Sequence, residues 1–593
     1  METIQIKLRE SYSITDNVIE KILRMRGVKK KDVAKYLFPD ESLKPDYNKL
    51  DNIDEAVELL HTHIEQNSKI MIVSDGDYDG LSSASIMYQY LTKDLRYPDE
   101  LVHFYMHEGK VHGIPESVVL ESNPDLLIMP DASSSEFDIH KRLFEQEIDL
   151  LILDHHLVNN NEYSQHALVV NNQLSERFPW KSLTGANMVY LFCEAYSDKH
   201  NGGKDISHYD DLNFSGMLAD RASLLDLGVY YYYNKGAGNI QNPLLKEIIK
   251  KSKNIEEGER LTPKDIGWSV APFFNSVIRN ANPENLKLVA DAINGKEYEV
   301  YNKRLKDDFP VVTAAMRAMT NDRAKQSKRV KEAREKIQER IEQMGTDKHK
   351  VILVNATDII EDSAIIGLVA TQIANEYNKP AMIMKYYSDR NVLAGSMRNF
   401  NNSPILSFKD VMEETGMFNF VAGHENAAGF ELDVGYGGQI TEALNEALSD
   451  IEYDNLLHTV DLRYSQKPDA EEILEIAKHN WLWGQDLSEP KVHIEDIQIS
   501  KEDIQFIGAK GNVWKIDLQS CEGIMFSLTE QQKLRLTNHE EDILKIEIVG
   551  TCSVNDFRGQ KRPQIIIEDF SVVGLEDFVV DPWNNFEVEV LPF

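Results

Sequence analysis

Asp75, Asp77 and Asp79 stand at alternate positions in Asp75-Gly76-Asp77-Tyr78-Asp79-Gly80, directly behind the apolar run Ile70-Met71-Ile72-Val73. Like charges a few ångströms apart raise one another's pKa and push a loop open, so a patch this dense calls for cations. Carboxylate oxygens are hard ligands suited to Mg²⁺, Mn²⁺ or Ca²⁺. An EF-hand loop also begins D-x-D-x-D-G. That loop needs a bidentate Glu at its twelfth position, which here is Ile86, and a helix before it where this chain has a strand-like run. A catalytic metal loop is the reading that remains, with a purely structural acidic turn as its rival.

The pattern recurs downstream. Leu126-Leu127-Ile128-Met129 runs through Pro130 into Asp131, and Leu150-Leu151-Ile152-Leu153 ends in Asp154-His155-His156. Asp220 closes Gly216-Met217-Leu218-Ala219-Asp220, another Asp behind a short apolar stretch. A lone strand-end Asp is most often a helix N-cap. In an open parallel sheet, however, ligands bind outside the carboxyl ends of the strands, so several strands delivering Asp or His there converge on one place.

The elements that must position these groups follow from the hydropathy pattern. From about 46 to 232, strands alternate with helical stretches, the mark of a parallel sheet with helices on both faces. Residues 1–45 form an accessory segment, and 233–345 read as helical connections. A basic stretch, Arg323 to Arg340, belongs to a long helix that begins near Val311. A second α/β unit spans 346–450, with strands at Val351–Val354 and Ala381–Met384. From 451 to 593, short strands such as Val513–Leu518 and Lys545–Val549 suit a small barrel.

At 593 residues the chain should hold several domains, since single cores stop growing near roughly 250–300 residues. Cys193, Cys521 and Cys552 share no metal-type spacing and point to a reducing compartment. No apolar run approaches a membrane span, and Met1-Glu2-Thr3-Ile4-Gln5 lacks a signal-peptide pattern, so a soluble cytoplasmic protein with no membrane partner is expected. No Gly-Lys pair is followed by Ser or Thr, which leaves a P-loop motor unsupported. A net charge of −34 argues against nucleic acid only if taken globally. Binding depends on the local field, to which bound metal ions add positive charge.

With these motifs in hand, the sequence resembles the DHH phosphoesterases, named for the triplet found here as Asp154-His155-His156, and within them the RecJ-type single-strand exonucleases. The resemblance spans nearly the whole chain. Arg26-Gly27 and the segment around Ala56-Val57 resemble the family's amino-terminal region, and Gly76-Asp77-Tyr78-Asp79-Gly80 resembles its G-D-Y-D-A-D-G loop. Pro272 to Arg279 is similar to P-R-x-N-A-A-G-R, and Gly395-Ser396-Met397-Arg398 to G-S-x-R. Ala422-Gly423-His424-Glu425-Asn426-Ala427-Ala428-Gly429 is similar to the G-G-H-x-x-A-A-G of the DHHA1 domain. Ser553 to Gly559 and Pro563 to Asp569 resemble the family's OB-type domain.

Departures are Ala132-Ser133 for Asn-Gly, Ala422 for the first Gly, Phe273 for Arg, Ile278 for Gly, and Trp481-Leu482-Trp483-Gly484 for P-F-G. They spare every expected metal ligand and touch the segments that set substrate preference and the path of DNA.

The resemblance implies an α/β fold: a doubly wound parallel-sheet DHH domain, joined by a long helix to a smaller α/β DHHA1 domain, with a C-terminal OB-like β-barrel. It implies two Mn²⁺ ions, with Mg²⁺ as the alternative, held by Asp75, Asp77, Asp79, Asp131, His155 and Asp220, with Asp131 as the bridge. His156 would face the substrate, and Asp154 would be either a ligand or the group that orients a histidine. Asn275, Arg279, Ser396, Arg398, Gly423 and His424 would grip the nucleic acid, and the basic face of the long helix would line its path. Trp514, Phe557 and Arg558 are candidates for contact with a strand on the barrel, Trp514 equally for its core.

The implied activity is 5′→3′ exonucleolytic hydrolysis of single-stranded DNA in recombination, repair or replication. A single-strand-binding protein or a helicase is the implied recruiter. The alternatives are a DHH phosphodiesterase acting on short oligonucleotides and a non-catalytic replication-helicase accessory scaffold.

Overall fold

Three parallel strands of unbroken apolar sequence lie at the centre of the molecule. In the computed structural model, which describes residues 5–9, 17–109, 111–158, 161–252, 259–453, 457–539, 543–557 and 560–573, they belong to a five-stranded sheet. Its strands are β1 (Ile70–Ser74), β2 (Val102–Met106), β3 (Leu126–Pro130), β4 (Asp149–Asp154) and β5 (Leu168–Asn171). Their spatial order is β2-β1-β3-β4-β5, and every pair is parallel.

The period-two alternation of side chains divides β1, β3 and β4 between two cores. Ile70, Ile72, Leu126, Ile128, Leu151 and Leu153 enter the larger one. Met71, Val73, Leu127, Met129, Leu150 and Ile152 enter a smaller one on the opposite face. Helices α1 (Tyr78–Gln89) and α3 (Gly185–His200) cover the first face, with α4 (Asp210–Ala219) packed on those two helices, and α2 (Phe137–Phe144) helps to cover the second. A sheet buried on both faces must read as continuous Val, Ile, Leu and Met, as these strands do.

Beyond the sheet, α5 (Ala271–Asn280) precedes the long helix α6 (Val311–Met344), which begins at the Val311 expected from sequence. Its 34 residues span about 50 Å at 1.5 Å per residue. Val311, Ala315, Met316 and Met319 pack into the larger core, while Val330, Ala333, Ile337 and Ile341 pack into a separate one. One rigid helix thus ties two bodies together. The second body holds β6 (Ile352–Asn355), α7 (Ile366–Tyr377), β7 (Ala381–Tyr387), β8 (Val392–Arg398), β9 (Phe418–His424) and β10 (Ala427–Asp433). Its sheet order is β9-β10-β8-β7-β6, parallel only between β6 and β7.

The basic face of α6 is largely neutralised. Lys325, Lys328, Arg329, Lys331 and Arg340 each lie within 4 Å of a carboxylate, and Arg323 stacks on Phe273.

The C-terminal region is a seven-stranded mixed sheet. Its longest strands, Ile543–Phe557 and Gln560–Val573, pair antiparallel. Of the two readings open for Trp514 the structure takes the core one: the side chain is fully buried, packed edge-on against Phe570 at 5.2 Å, so it supports the sheet from within. The Phe557 side chain and Arg558 lie outside the described residues. Ile473, Leu482, Trp483, Trp514 and Ile546 all belong to the same continuous core as the parallel sheet. No helix among the described residues is long and apolar enough to cross a membrane.

Candidate active site

The chain leaves β1 to form β2 on one side of it and then returns to place β3 on the other. The order of strands therefore reverses at β1, and the crevice at such a switch point is where ligands bind in open α/β sheets. Asp75 follows β1, Asp131 follows β3, and β4 ends in Asp154 with His155 and His156 behind it.

The acidic loop folds tightly because its residues serve the next helix. Asp77 caps α1, its Oδ1 accepting the backbone N–H groups of Asp79 at 3.0 Å and Gly80 at 3.1 Å. Asp79, in the first turn, accepts the N–H groups of Gly185 at 2.9 Å and Ala186 at 3.3 Å, which open α3. Position 80 has no room for a side chain, since a Cβ there would lie 2.6 Å from the Cβ of Asp75. Position 185 is equally closed, its Cβ falling 2.5 Å from Asp131 Cγ. These close approaches let the carboxylates crowd together.

The structure brings together Asp75, Asp77, Asp79, Asp131, His155, His156 and Asp220. Ligand atoms of Asp75, Asp77 and Asp131 lie within 4.8 Å of one another, as do those of Asp79, His155 and Asp220, and those of Asp131, His155 and His156. Asp131 takes part in two of these groupings and His155 in two. Asp220 arrives from the end of helix α4, not from a strand.

Burial and mutual repulsion make the carboxylates of the cluster hold protons. Burial, then Asp77, pushes Asp79 up to about 7. Burial, then Asp79, pushes Asp220 up to about 8 and Asp131 well above the usual carboxylate range. Burial drives His155 down to about 4, leaving a neutral imidazole fit to be a ligand. Its Nε2 and Asp131 Oδ1 face each other at 3.1 Å, yet neither atom has a hydrogen-bond partner among the described residues. Two buried lone-pair atoms left unsatisfied side by side fit a shared cation.

Asp154 differs. Oδ1 accepts from His155 N–H at 2.7 Å, His156 N–H at 3.1 Å and His156 Nδ1 at 2.8 Å, and Oδ2 accepts Ser134 N–H at 2.9 Å. Burial alone would raise its pKa, but these donors, His156 first, hold it below the usual carboxylate range. The same contact lifts His156 to about 9, so a largely exposed imidazolium stands beside the cluster.

Arg279 projects from α5, which is fixed by a parallel stack of Tyr78 on Phe274 at 4.0 Å. Burial lowers its pKa and the field of Asp77 counters this, while Arg279 in turn depresses Arg398, itself first lowered by burial. The charge of Arg279 thus acts on Arg398 across the two bodies, and neither guanidinium is in an ion pair among the described residues. Arg398 and Ser396 flank the start of α7, where a Cβ on Gly367 would meet Arg398 Nη2 at 2.6 Å and Ser396 Oγ at 3.5 Å.

Asn275 lines a cleft of about 1500 Å³ between α5 and the C-terminal sheet, together with Arg221, Trp268 and Lys561. Gly423 and His424 lie on the outer strand β9, where His424 is exposed and pairs with Ala427 of β10. His112, which motif reading passed over, contacts Asp75 at 2.5 Å. The available signal was its position after a strand end, obscured because edge strand β2 is half exposed.

Comparison with known proteins places these features among relatives. Residues 69–217 match the model of the DHH family N-terminal domain, and 465–569 that of the RecJ OB domain. A provisionally named SPbeta prophage-derived single-strand DNA-specific exonuclease, YorK, of Bacillus subtilis is 33% identical over 560 residues, covering 93% of this chain and 95% of its own. The single-stranded-DNA-specific exonuclease RecJ of the same bacterium is 25% identical, over 95% of this chain and 69% of its own. Among solved structures, RecJ from Thermus thermophilus in complex with Mn²⁺ superposes with a TM-score of 0.71 at 16% identity, covering 96% of this chain and 80% of that one. Its Mg²⁺ complex gives a TM-score of 0.66 at 17% identity, over 96% and 79%.

Proposed function

The chain belongs to the RecJ-type branch of the DHH phosphoesterases, and from that premise we propose that it hydrolyses the phosphodiester bonds of single-stranded DNA from the 5′ end, using two divalent metal ions. The observation that carries this reading is the shared, unsatisfied pair of Asp131 Oδ1 and His155 Nε2 at the sheet's switch point. Asp75, Asp77, Asp79, Asp131, His155 and Asp220 would hold the ions, with Asp131 between the two sets. Mixed carboxylate and imidazole ligands suit Mn²⁺, with Mg²⁺ as the alternative. Held there, divalent ions would supply a nucleophilic water near neutral pH and stabilisation of charge on the leaving oxygen.

The chain's own groups do the rest. His156, kept protonated by Asp154, donates to a phosphoryl oxygen as negative charge develops on it. Asp154 spends its oxygens on protein donors, which suits it to orient that ring rather than to bind metal. Arg279 and Arg398 offer a doubly positive grip for a phosphate next to the scissile one, and charged forks of this kind suit phosphate geometry. That local field answers the objection raised by a net charge of −34. Asn275, Ser396, Gly423 and His424 complete the substrate-holding set in this reading. The convergence of every expected ligand weighs against a decayed, non-catalytic scaffold.

Single strands labelled at either end test the proposal, digested with Mn²⁺ present and absent. Short products released from the 5′ label, only with metal, are expected. Asp131→Ala is expected to abolish this while the protein stays folded; more than a tenth of the wild-type rate in Mn²⁺ would remove Asp131 from the bridging role.

A further inference from the structure

The loop behind edge strand β2 reaches back into the acidic cluster. His112 places Nδ1 2.5 Å from Asp75 Oδ2, and the next residue, Gly113, gives its N–H to Asp75 Oδ1 at 3.2 Å. Asp75 is 3% exposed, while 53% of the His112 side chain is open to solvent. The loop is itself pinned. His107 Nε2 lies 2.9 Å from Gly113 O, and Ile114 N–H donates to Glu136 at 2.9 Å.

A carboxylate oxygen has two lone pairs, and this loop engages one on each oxygen of Asp75. An oxygen of Asp75 also lies within 4.8 Å of Asp77 and Asp131, so the remaining lone pairs are available to whatever those carboxylates share. Without the imidazole, Asp75 would keep a single backbone donor and be free to turn about its χ angles under repulsion from its neighbours.

We propose that His112 is a positioning residue of the metal-holding centre, its Nδ1–H locking Asp75 in the one orientation that meets a divalent cation. It mirrors the Asp154–His156 pair with the roles exchanged: there a carboxylate fixes an imidazole, and here an imidazole fixes a carboxylate. Hydrogen-bond partners of metal ligands set ligand orientation, and their loss typically weakens metal binding about 10–100-fold. The proposal rests on the reading of Asp75 as a metal ligand given above.

The test is calorimetric titration of Mn²⁺ into the EDTA-stripped full chain, comparing wild type, His112→Ala and His112→Asn. His112→Ala is expected to bind about 10–100-fold more weakly at unchanged stoichiometry. His112→Asn, whose amide can still donate but is a poor metal ligand, is expected to recover most of the affinity. Unchanged affinity in His112→Ala overturns the proposal. So does a loss of stoichiometry without rescue by Asn, which would make His112 a ligand. A wild type that takes up no Mn²⁺ overturns the metal reading of the whole cluster and this proposal with it, a result distinct from failure of the variant alone. Because His112 is half exposed, the variants are expected to melt with the wild type in EDTA, and His112→Asn carries the comparison if Ala does not.

Discussion

Arg26 and Asp461, 435 positions apart in the chain, meet at 2.9 Å between Nη2 and Oδ2, with both side chains buried. Arg9 approaches the other carboxylate oxygen at 3.2 Å, and Lys491 N–H donates to Oδ2 at 2.9 Å. One acid thereby clamps the amino-terminal helix to the C-terminal sheet. Cutting the chain at Asp461 would expose a shared core, so the contribution of the C-terminal region to binding is better probed by point substitutions in the cleft beside Asn275.

Asp461→Ala is expected to destabilise the protein by roughly 3–5 kcal/mol, because it leaves the Arg26 guanidinium buried without its counter-charge. Urea denaturation of the two proteins checks this. A change below about 1 kcal/mol, the scale of an exposed ion pair, would show that solvent reaches the clamp.

The two adjacent histidines are expected to separate by phenotype. His156→Ala should lower kcat by roughly 10²–10³-fold, the usual cost of removing one donor aimed at developing charge, with metal stoichiometry unchanged. His155→Ala should instead lose metal. Calorimetry with Mn²⁺ beside steady-state kinetics distinguishes the roles, and the opposite pattern would exchange them; His156 does offer a ring nitrogen within 4.8 Å of Asp131 and His155.

Stability without metal is expected to fall as pH rises from about 6.5 to about 9. Asp79 and Asp220 titrate at about 7 and about 8 in the folded chain, far above the ~4 of an unfolded carboxylate, so the folded state holds protons that unfolding releases. His156, raised to about 9, acts with the same sign above its unfolded value of ~6.5. His155, lowered to about 4, acts with the opposite sign, but its window closes near 6.5. Each stabilising contribution is thus lost as pH rises through the folded pKa. Melting curves in EDTA should show the decline, and the Tm gain from Mg²⁺ should be larger at pH 9 than at pH 6.5. A gain independent of pH would show that the cluster is already ionised without metal.

How much of this was legible in the sequence depended on how local the cause was. Asp75, Asp77 and Asp79 behind Ile70–Val73, Asp131 behind Leu126–Met129, and Asp154-His155-His156 behind Leu150–Leu153 could be placed because a strand buried on both faces must be apolar throughout, and because parallel strands share one carboxyl end. The start of the long helix near Val311 was legible too. Tertiary structure alone decided the rest. Trp514 faces inward because the covered face of its strand is set by a partner far along the chain. Asp220 reaches the cluster from a helix end, where the packing of α4 against α1 and α3 fixes its direction. His112 touches Asp75 through a loop behind a half-exposed edge strand, which carries no period to read. Residue types and spacing state which atoms could bind a cation; only the packing of distant segments states which of them are held close enough to do so.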